Sequence, residues 1–196
     1  MLVVTGPSGV GKGTLIRALR EHFAGLELSI SATTRSARPG EVDGRDYWFL
    51  SPEEFERQAA ADAFLEHATY AGNRYGTPRS EIERTAPRSG SEDSTEEVAG
   101  LVLEIEVEGA RQVRRALPEA IQVFVAPPSL EALRTRLVGR GSDSHPQIED
   151  RLEVARQELG AREEFEHVIV NDRLERAAEE LAELVARVWD SPAKGT

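Results

Sequence analysis

Residues 2–23 read LVVTGPSGVGKGTLIRALREHF. Leu2 to Thr5 is a short apolar run of strand character, and Leu15, Ile16, Leu19 and Phe23 recur at helical spacing. Between them lies GPSGVGKGT, residues 6–14, in which Gly6 is followed after four residues by Gly11-Lys12. This is the phosphate-binding loop pattern. Glycines let backbone N–H groups converge on phosphate oxygens, the helix N-terminus adds positive potential, and the lysine reaches the β and γ phosphates. Gly6, Pro7, Ser8, Gly9, Val10, Gly11, Lys12, Gly13 and Thr14 are therefore the expected phosphate site. One position departs from the pattern. The residue after the lysine is normally Ser or Thr, whose hydroxyl helps hold magnesium; here it is Gly13, with Thr14 one place later. Magnesium would then be held mainly by phosphates and water, as that ion readily allows. Ser8 has no general-base partner nearby and reads as a loop residue, not a nucleophile.

Outward from this stretch the chain keeps alternating strand-like and helix-like segments. Strands are expected at Leu101 to Ile105, at Ile121 to Ala126 before Pro127-Pro128, and at His167 to Val170 before Asn171-Asp172. Gly109 to Leu117 and Leu130 to Val138 read as helices between them, and Leu174, Ala178, Leu181, Val185 and Val188 form one stripe of a last helix. Short buried strands separated by helices predict βαβ units and a parallel sheet flanked by helices. Residues 32–98 break the rhythm and read as an inserted α+β lobe, with SPEEFERQAAADAFLEHA helix-like and AGNRYGTPRS a turn. Residues 84–100 are rich in Gly, Pro, Ser and acids and read as a solvated loop, while GRGSDSHPQIEDRL reads as a mobile flap between two helices.

Composition bounds the partners. The 196 residues carry 24 basic and 35 acidic side chains, a formal net charge of −11, and no cysteine. Acidity argues against general binding to nucleic acid or anionic membranes, where phosphate neutralisation supplies the affinity. The absence of cysteine removes disulfides, thiolate zinc sites and cysteine nucleophiles. No apolar run approaches the roughly 20 residues of a membrane span, and no signal peptide is legible, so a cytoplasmic protein is expected. The four histidines show no metal-ligand spacing. Less ordinary is that the basic residues are 22 arginines and two lysines, Lys12 and Lys194.

A kinase acting on a nucleotide also needs cations for the acceptor phosphate and for charge that develops during transfer. Arg35 and Arg38 lie in TTRSARPGE; Arg136, Arg140 and Arg151 lie in RLVGRG and the helix after it. Arginine suits the task because its planar fork binds phosphate oxygens bidentately. GPSGVGKGT, SATTRSARPGEVDGRDYWF, FLEHATYAGNRYGTP, LEIEVEGARQV, APPSLEALRTRLVGRGSD and VIVND, taken in order, resemble the guanylate kinase family over nearly the whole chain. The resemblance implies an α/β P-loop kinase core with a parallel sheet, an inserted α+β GMP-binding lobe and a short helical lid. On this sequence the core would span 1–31, 99–138 and 158–196, the lobe 32–98 and the lid 139–157. It implies transfer of the ATP γ-phosphoryl group to GMP with Mg2+, giving ADP and GDP.

Carried over by position, Ser31, Glu66 and Thr77 would meet the guanine. Guanine offers N1–H and its exocyclic 2-amino group as adjacent donors that one carboxylate accepts together, while hydroxyls donate to O6. Arg35, Arg38, Tyr47 and Tyr75 resemble the family's clamp on the GMP phosphate. Lys12, Arg136, Arg140 and Arg151 resemble the groups around the transferring phosphoryl, and Asn171 the position near the adenine of ATP. Glu106 stands where the family usually has aspartate, and Glu108 where it has glutamine; Glu106 would face magnesium-bound water or the GMP amino group, its carboxylate displaced by about 1 Å. The stretch from 84 to 98 is about ten residues longer than usual. Beside the catalytic reading stand two others: a non-catalytic guanylate-kinase-like module that binds a protein, and a related P-loop kinase of a phosphorylated sugar. The catalytic reading needs no nucleic acid, membrane or obligate protein partner.

Overall fold

The computed structural model describes residues 1–85, 100–139 and 145–189. In chain order the first half holds β1 (Leu2–Thr5), α1 (Lys12–His22), β2 (Leu26–Leu28), β3 (Ala32–Thr33), β4 (Trp48–Phe49), α2 (Pro52–Ala60), β5 (Phe64–Tyr70), β6 (Asn73–Pro78) and α3 (Arg79–Thr85). The second half holds β7 (Gly100–Glu104), α4 (Val107–Ala116), β8 (Ile121–Ala126), α5 (Leu130–Gly139), α6 (His145–Gly160), β9 (His167–Val170) and α7 (Leu174–Trp189). The strands form two sheets, ordered β2-β7-β1-β8-β9 and β4-β3-β6-β5. In the first, β2 runs parallel to β7 and β8 to β9. All four residues of β1 are buried, as strands covered on both faces require. Two compact units emerge from the internal contacts: residues 1–3 with 25–121, and residues 4–24 with 122–196.

In the first unit, β5, β6 and β3 are antiparallel and β4 lies parallel to β3. α2 begins cleanly: Ser51 accepts a hydrogen bond from the Glu54 N–H at 3.1 Å, Pro52 opens the helix, and Glu53 and Glu54 sit in its first turn. Its buried Phe55 stacks on Phe64 with ring centroids 4.5 Å apart. The expectation of one helix through SPEEFERQAAADAFLEHA is corrected here. Asp62 turns left-handed at φ 53°, ending the helix, and FLEHATY becomes β5. AGNRYGTPRS is likewise only a turn at its start. Tyr70 pairs with Asn73 across Ala71 and Gly72, both at positive φ, the geometry of a two-residue hairpin, and NRYGTP is β6.

In the second unit, β8 and β9 pair from Val123↔His167 to Ala126↔Val170. α1 buries Leu15, Ile16 and Leu19; α7 buries Ala177, Ala178, Leu181 and Val185. The stretch read as a flap is helix α6 from His145 onward, its Ile148, Leu152 and Ala155 packed with Leu133 and Leu137 of α5. Residues 140–144, and so Arg140, lie outside the described residues, as do 86–98 of the acidic stretch and Lys194.

Candidate functional site

Residues 6–12 turn from β1 into α1 through three glycines at positive φ: Gly6 at 133°, Gly9 at 87° and Gly11 at 101°. Only glycine adopts such angles without strain. Lys12 opens α1 and is 7% exposed, with its Nζ donating to the Gly6 carbonyl at 2.6 Å. Gly11 supplies no side-chain cap, and α1 has no acid in its first turn. The positive helix end and its orphan N–H groups are thus left for an anion. Gly6 also has no room: a Cβ there would lie 2.2 Å from the Val125 carbonyl oxygen. Gly6→Ala should therefore cost about 3 kcal/mol or more, from strain plus clash, read as a lower urea midpoint. A midpoint equal to wild type would refute this packing.

Beside the loop is an open cleft of about 410 Å³, lined among others by Val10, Thr14, Arg136, Asn171 and Leu174. That volume is within the range of small-ligand sites. Two side chains converge on the Val10 carbonyl: Arg136 Nη1 donates at 3.1 Å and the buried Asn171 Nδ2 at 2.8 Å. Arg136 Nη2 donates to the Asn171 carbonyl at 2.7 Å, and the Asn171 N–H donates to the Ala126 carbonyl at 2.8 Å. A Cβ on Gly11 would fall 2.6 Å from Asn171 Nδ2, a second reason for glycine there. The resemblance implies Arg136 beside the transferring phosphoryl; in this structure its guanidinium fastens the loop to the end of β9. Arg151 is half-buried on α6. Among the described residues no cluster of three or more His, Asp or Glu side chains is placed to hold a metal. The exposed Thr14 hydroxyl is the side-chain oxygen that α1 offers at the cleft. Such a donor set fits an ion carried by nucleotide phosphates and water.

The first unit gathers a second group. Glu66 on β5 pairs with Thr77 on β6, just past a register shift between Phe64 and Glu66. Bulges of this kind re-aim a side chain. Thr77 Oγ1 donates to Glu66 Oε1 at 2.7 Å, and Glu66 is only 4% exposed. Burial pushes the Glu66 carboxyl up to about 7; the Thr77 hydrogen bonds oppose the rise and the Glu106 charge adds to it. Glu106 caps α4 with an extended backbone, and Ser31, half-buried, accepts from the Trp48 N–H through its carbonyl.

Arg35 is held from several sides. Its Nη2 meets Glu41 Oε1 at 2.9 Å and its Nη1 donates to the Ser36 carbonyl at 2.6 Å. Its guanidinium carbon lies 5.3 Å from the Tyr47 ring centre and 5.8 Å from that of Phe49, within cation–π range. Tyr47 and Tyr75 meet edge-on at 6.2 Å. The hydrogen bond with Glu41 raises the Arg35 pKa and holds Glu41 below the usual carboxylate range. Burial, with the Glu104 charge, raises the Tyr47 pKa. Arg38 has an exposed side chain, and its backbone N–H donates to Glu41 Oε2 at 2.7 Å. Glu41 thus ties both arginine positions together. Sequence reasoning passed over it, although it stands three residues after Arg38 in the RPGE turn.

A parallel sheet flanked by helices, with a glycine loop and buried lysine at a helix start, defines a P-loop α/β protein. The family profile described as guanylate kinase matches residues 1–188. A guanylate kinase of Gloeobacter violaceus is 52% identical over 153 residues, covering 78% of this chain and 70% of that protein. One from Rubrobacter xylanophilus is 50% identical over 155 residues, covering 79% and 76%. Among solved structures, guanylate kinase from Anaplasma phagocytophilum superposes with a TM-score of 0.75 at 31% identity, covering 97% of this chain and 86% of that one. A gluconokinase from Sinorhizobium meliloti, at 18% identity and TM-score 0.51 over 96% and 93%, shares the fold alone. By these measures the chain belongs to the guanylate kinase family and is an enzyme of it.

Proposed function

We propose that the protein transfers the γ-phosphoryl group of ATP to GMP, with magnesium, giving ADP and GDP in the cytoplasm. The observation that carries this reading is the buried Glu66 carboxylate beside the Thr77 hydroxyl. A carboxylate accepts guanine N1–H and N2–H together, whereas adenine presents an acceptor at N1 and no 2-amino group. Ser31 supplies a hydroxyl for O6, Thr77 lies beside the guanine with its proton donated to Glu66 Oε1, and Glu106 takes the far side of the amine. Arg35, Arg38, Tyr47 and Tyr75 hold the GMP phosphate. ATP takes the cleft of the second unit, its phosphates on residues 6–14 with Lys12, its base toward Asn171. Arg136, Arg140 and Arg151 neutralise the transferring group, Arg136 partly by holding the loop in place. Functionally, 1–31, 99–138 and 158–196 form the core, 32–98 the GMP lobe and 139–157 the lid.

The acceptor phosphate is already anionic near neutral pH, so no strong general base is required and no covalent enzyme intermediate forms. The side chains position and stabilise charge. Magnesium, when bound, would neutralise phosphate charge, and among the described residues the Thr14 hydroxyl would be the oxygen that α1 supplies beside it. Purified protein with ATP, GMP and magnesium should form ADP and GDP, with AMP a far poorer acceptor. Absence of GMP-dependent ADP formation across a range of magnesium concentrations would overturn the reading. Turnover of a sugar phosphate in place of GMP would favour the sugar-kinase alternative, and failure to bind ATP by calorimetry the non-catalytic one.

The pH dependence follows from Glu66. Guanine needs the ionised carboxylate, and burial holds that group protonated below a pKa of about 7 in the free enzyme. The value of kcat/KM for GMP should rise about tenfold per pH unit below that point and level above it. A profile flat from pH 5.5 to 8 would contradict the buried-carboxylate role.

A further inference from the structure

Among the described residues β5 is the edge strand of its sheet, and it packs against α4. Gln112 of α4 completes that edge. Its Oε1 accepts from the His67 N–H at 3.1 Å, and its Nε2 donates to the His67 carbonyl at 2.8 Å. One side-chain amide therefore satisfies both backbone groups of the residue that follows Glu66. Three residues earlier on the same helix, Gly109 leaves space for the carboxylate itself. A Cβ there would lie 2.2 Å from Glu66 Oε2 and 2.9 Å from its Cδ. The other oxygen, Oε1, is held by Thr77. The carboxylate is thus bounded on one side by the Thr77 hydroxyl and on the other by bare helix backbone.

We propose that Gly109 and Gln112 are positioning residues for guanine recognition, through which α4 sets the aim of Glu66 and so the preference for a base bearing a 2-amino group. This rests on the reading that Glu66 meets the guanine of GMP. A two-donor edge demands both carboxylate oxygens in one plane, so a small rotation loses the second contact before the first. Displacements near 1 Å cost about 100-fold. Alanine is the better helix former, so Gly109→Ala favours α4 while forcing Oε2 to move. The fold can yield at the end of a side chain; the recognition geometry cannot.

The test is steady-state kinetics with GMP, with inosine monophosphate (which keeps N1–H and O6 but lacks the amine) and with AMP, beside thermal unfolding. For Gly109→Ala the expected result is about a 100-fold loss in kcat/KM for GMP and about a tenfold fall in the GMP-to-IMP ratio. KM for ATP should stay within about twofold and the unfolding midpoint should not drop. Gln112→Met, which keeps length and removes both hydrogen bonds, should lower the same ratio by about threefold. Equal losses on GMP and IMP, or an unchanged ratio in Gly109→Ala, would overturn the proposal while leaving the GMP reading in place. Wild-type protein that does not prefer GMP over AMP would sink that reading and the proposal together. Gly109→Ala carries the test alone where Gln112→Met fails to fold.

Discussion

Lys12→Met should lower turnover by at least about 10³-fold and leave the unfolding midpoint within a few degrees of wild type. The geometry separates the two effects. The Lys12 stem is buried at the start of α1, and methionine fills nearly the same volume with an apolar chain. What disappears is the ammonium, which donates to the Gly6 carbonyl at 2.6 Å. A phosphate oxygen is the stronger acceptor, so the charge is available to move from the loop to the nucleotide. Removing one such preorganised donor costs about 10²–10³ in turnover, and the lysine also orients the reacting group, which adds to the loss. A coupled ADP assay and a thermal melt on the same preparation measure both quantities. Turnover within tenfold of wild type would contradict the phosphate role.

Glu66→Gln should move stability and function in opposite directions. A carboxyl whose folded pKa stands near 7, against 4.5 as its reference, binds more protons folded than unfolded between those values. Its stabilising contribution is therefore complete below pH 4.5 and is lost as pH rises through 7. Above pH 7 the ionised, buried Glu66 costs the free protein on the order of 3 kcal/mol, at 1.36 kcal/mol per pKa unit. Glutamine has the same shape without the charge and still accepts from Thr77 through its carbonyl. At pH 8 the variant should unfold at a higher temperature than wild type, while at pH 4.5 the two should converge. Toward GMP it presents an amide donor to a donor edge, and kcat/KM should fall about 10³–10⁴-fold with ATP affinity unchanged. An equal loss for ATP would reject the base-reading role.

The loop was legible in the sequence because its requirements are local. Positive-φ glycines and a lysine at fixed offsets, before a helical stripe, leave little else for GPSGVGKGT to be. β5 was illegible for the opposite reason. AAADAFLEH carries no Gly or Pro to stop a helix, and the break rests on a left-handed Asp62 and on pairing with β6. Tertiary pairing there overrides a helical pattern. Residue types at the site were visible, but their partners were not. Glu41 meets Arg35 across a turn, and Gln112 meets His67 across 45 residues. Arg136 was visible as a cation, whereas its two carbonyl acceptors exist only once the loop and β9 have come together.

That last tie also has an order in time. Val10 is made before both of its fasteners: its carbonyl is held by Arg136 from 126 residues on and by Asn171 from 161 residues on. At roughly 5–20 residues per second of synthesis, Asn171 follows Val10 by roughly 10–30 s. Until Arg136 is made the nascent chain carries the glycines and the lysine with neither fastener, and from there until Asn171 it has at most one. The stretch of chain most easily recognised in the sequence is therefore among the last parts of the protein to become a finished surface.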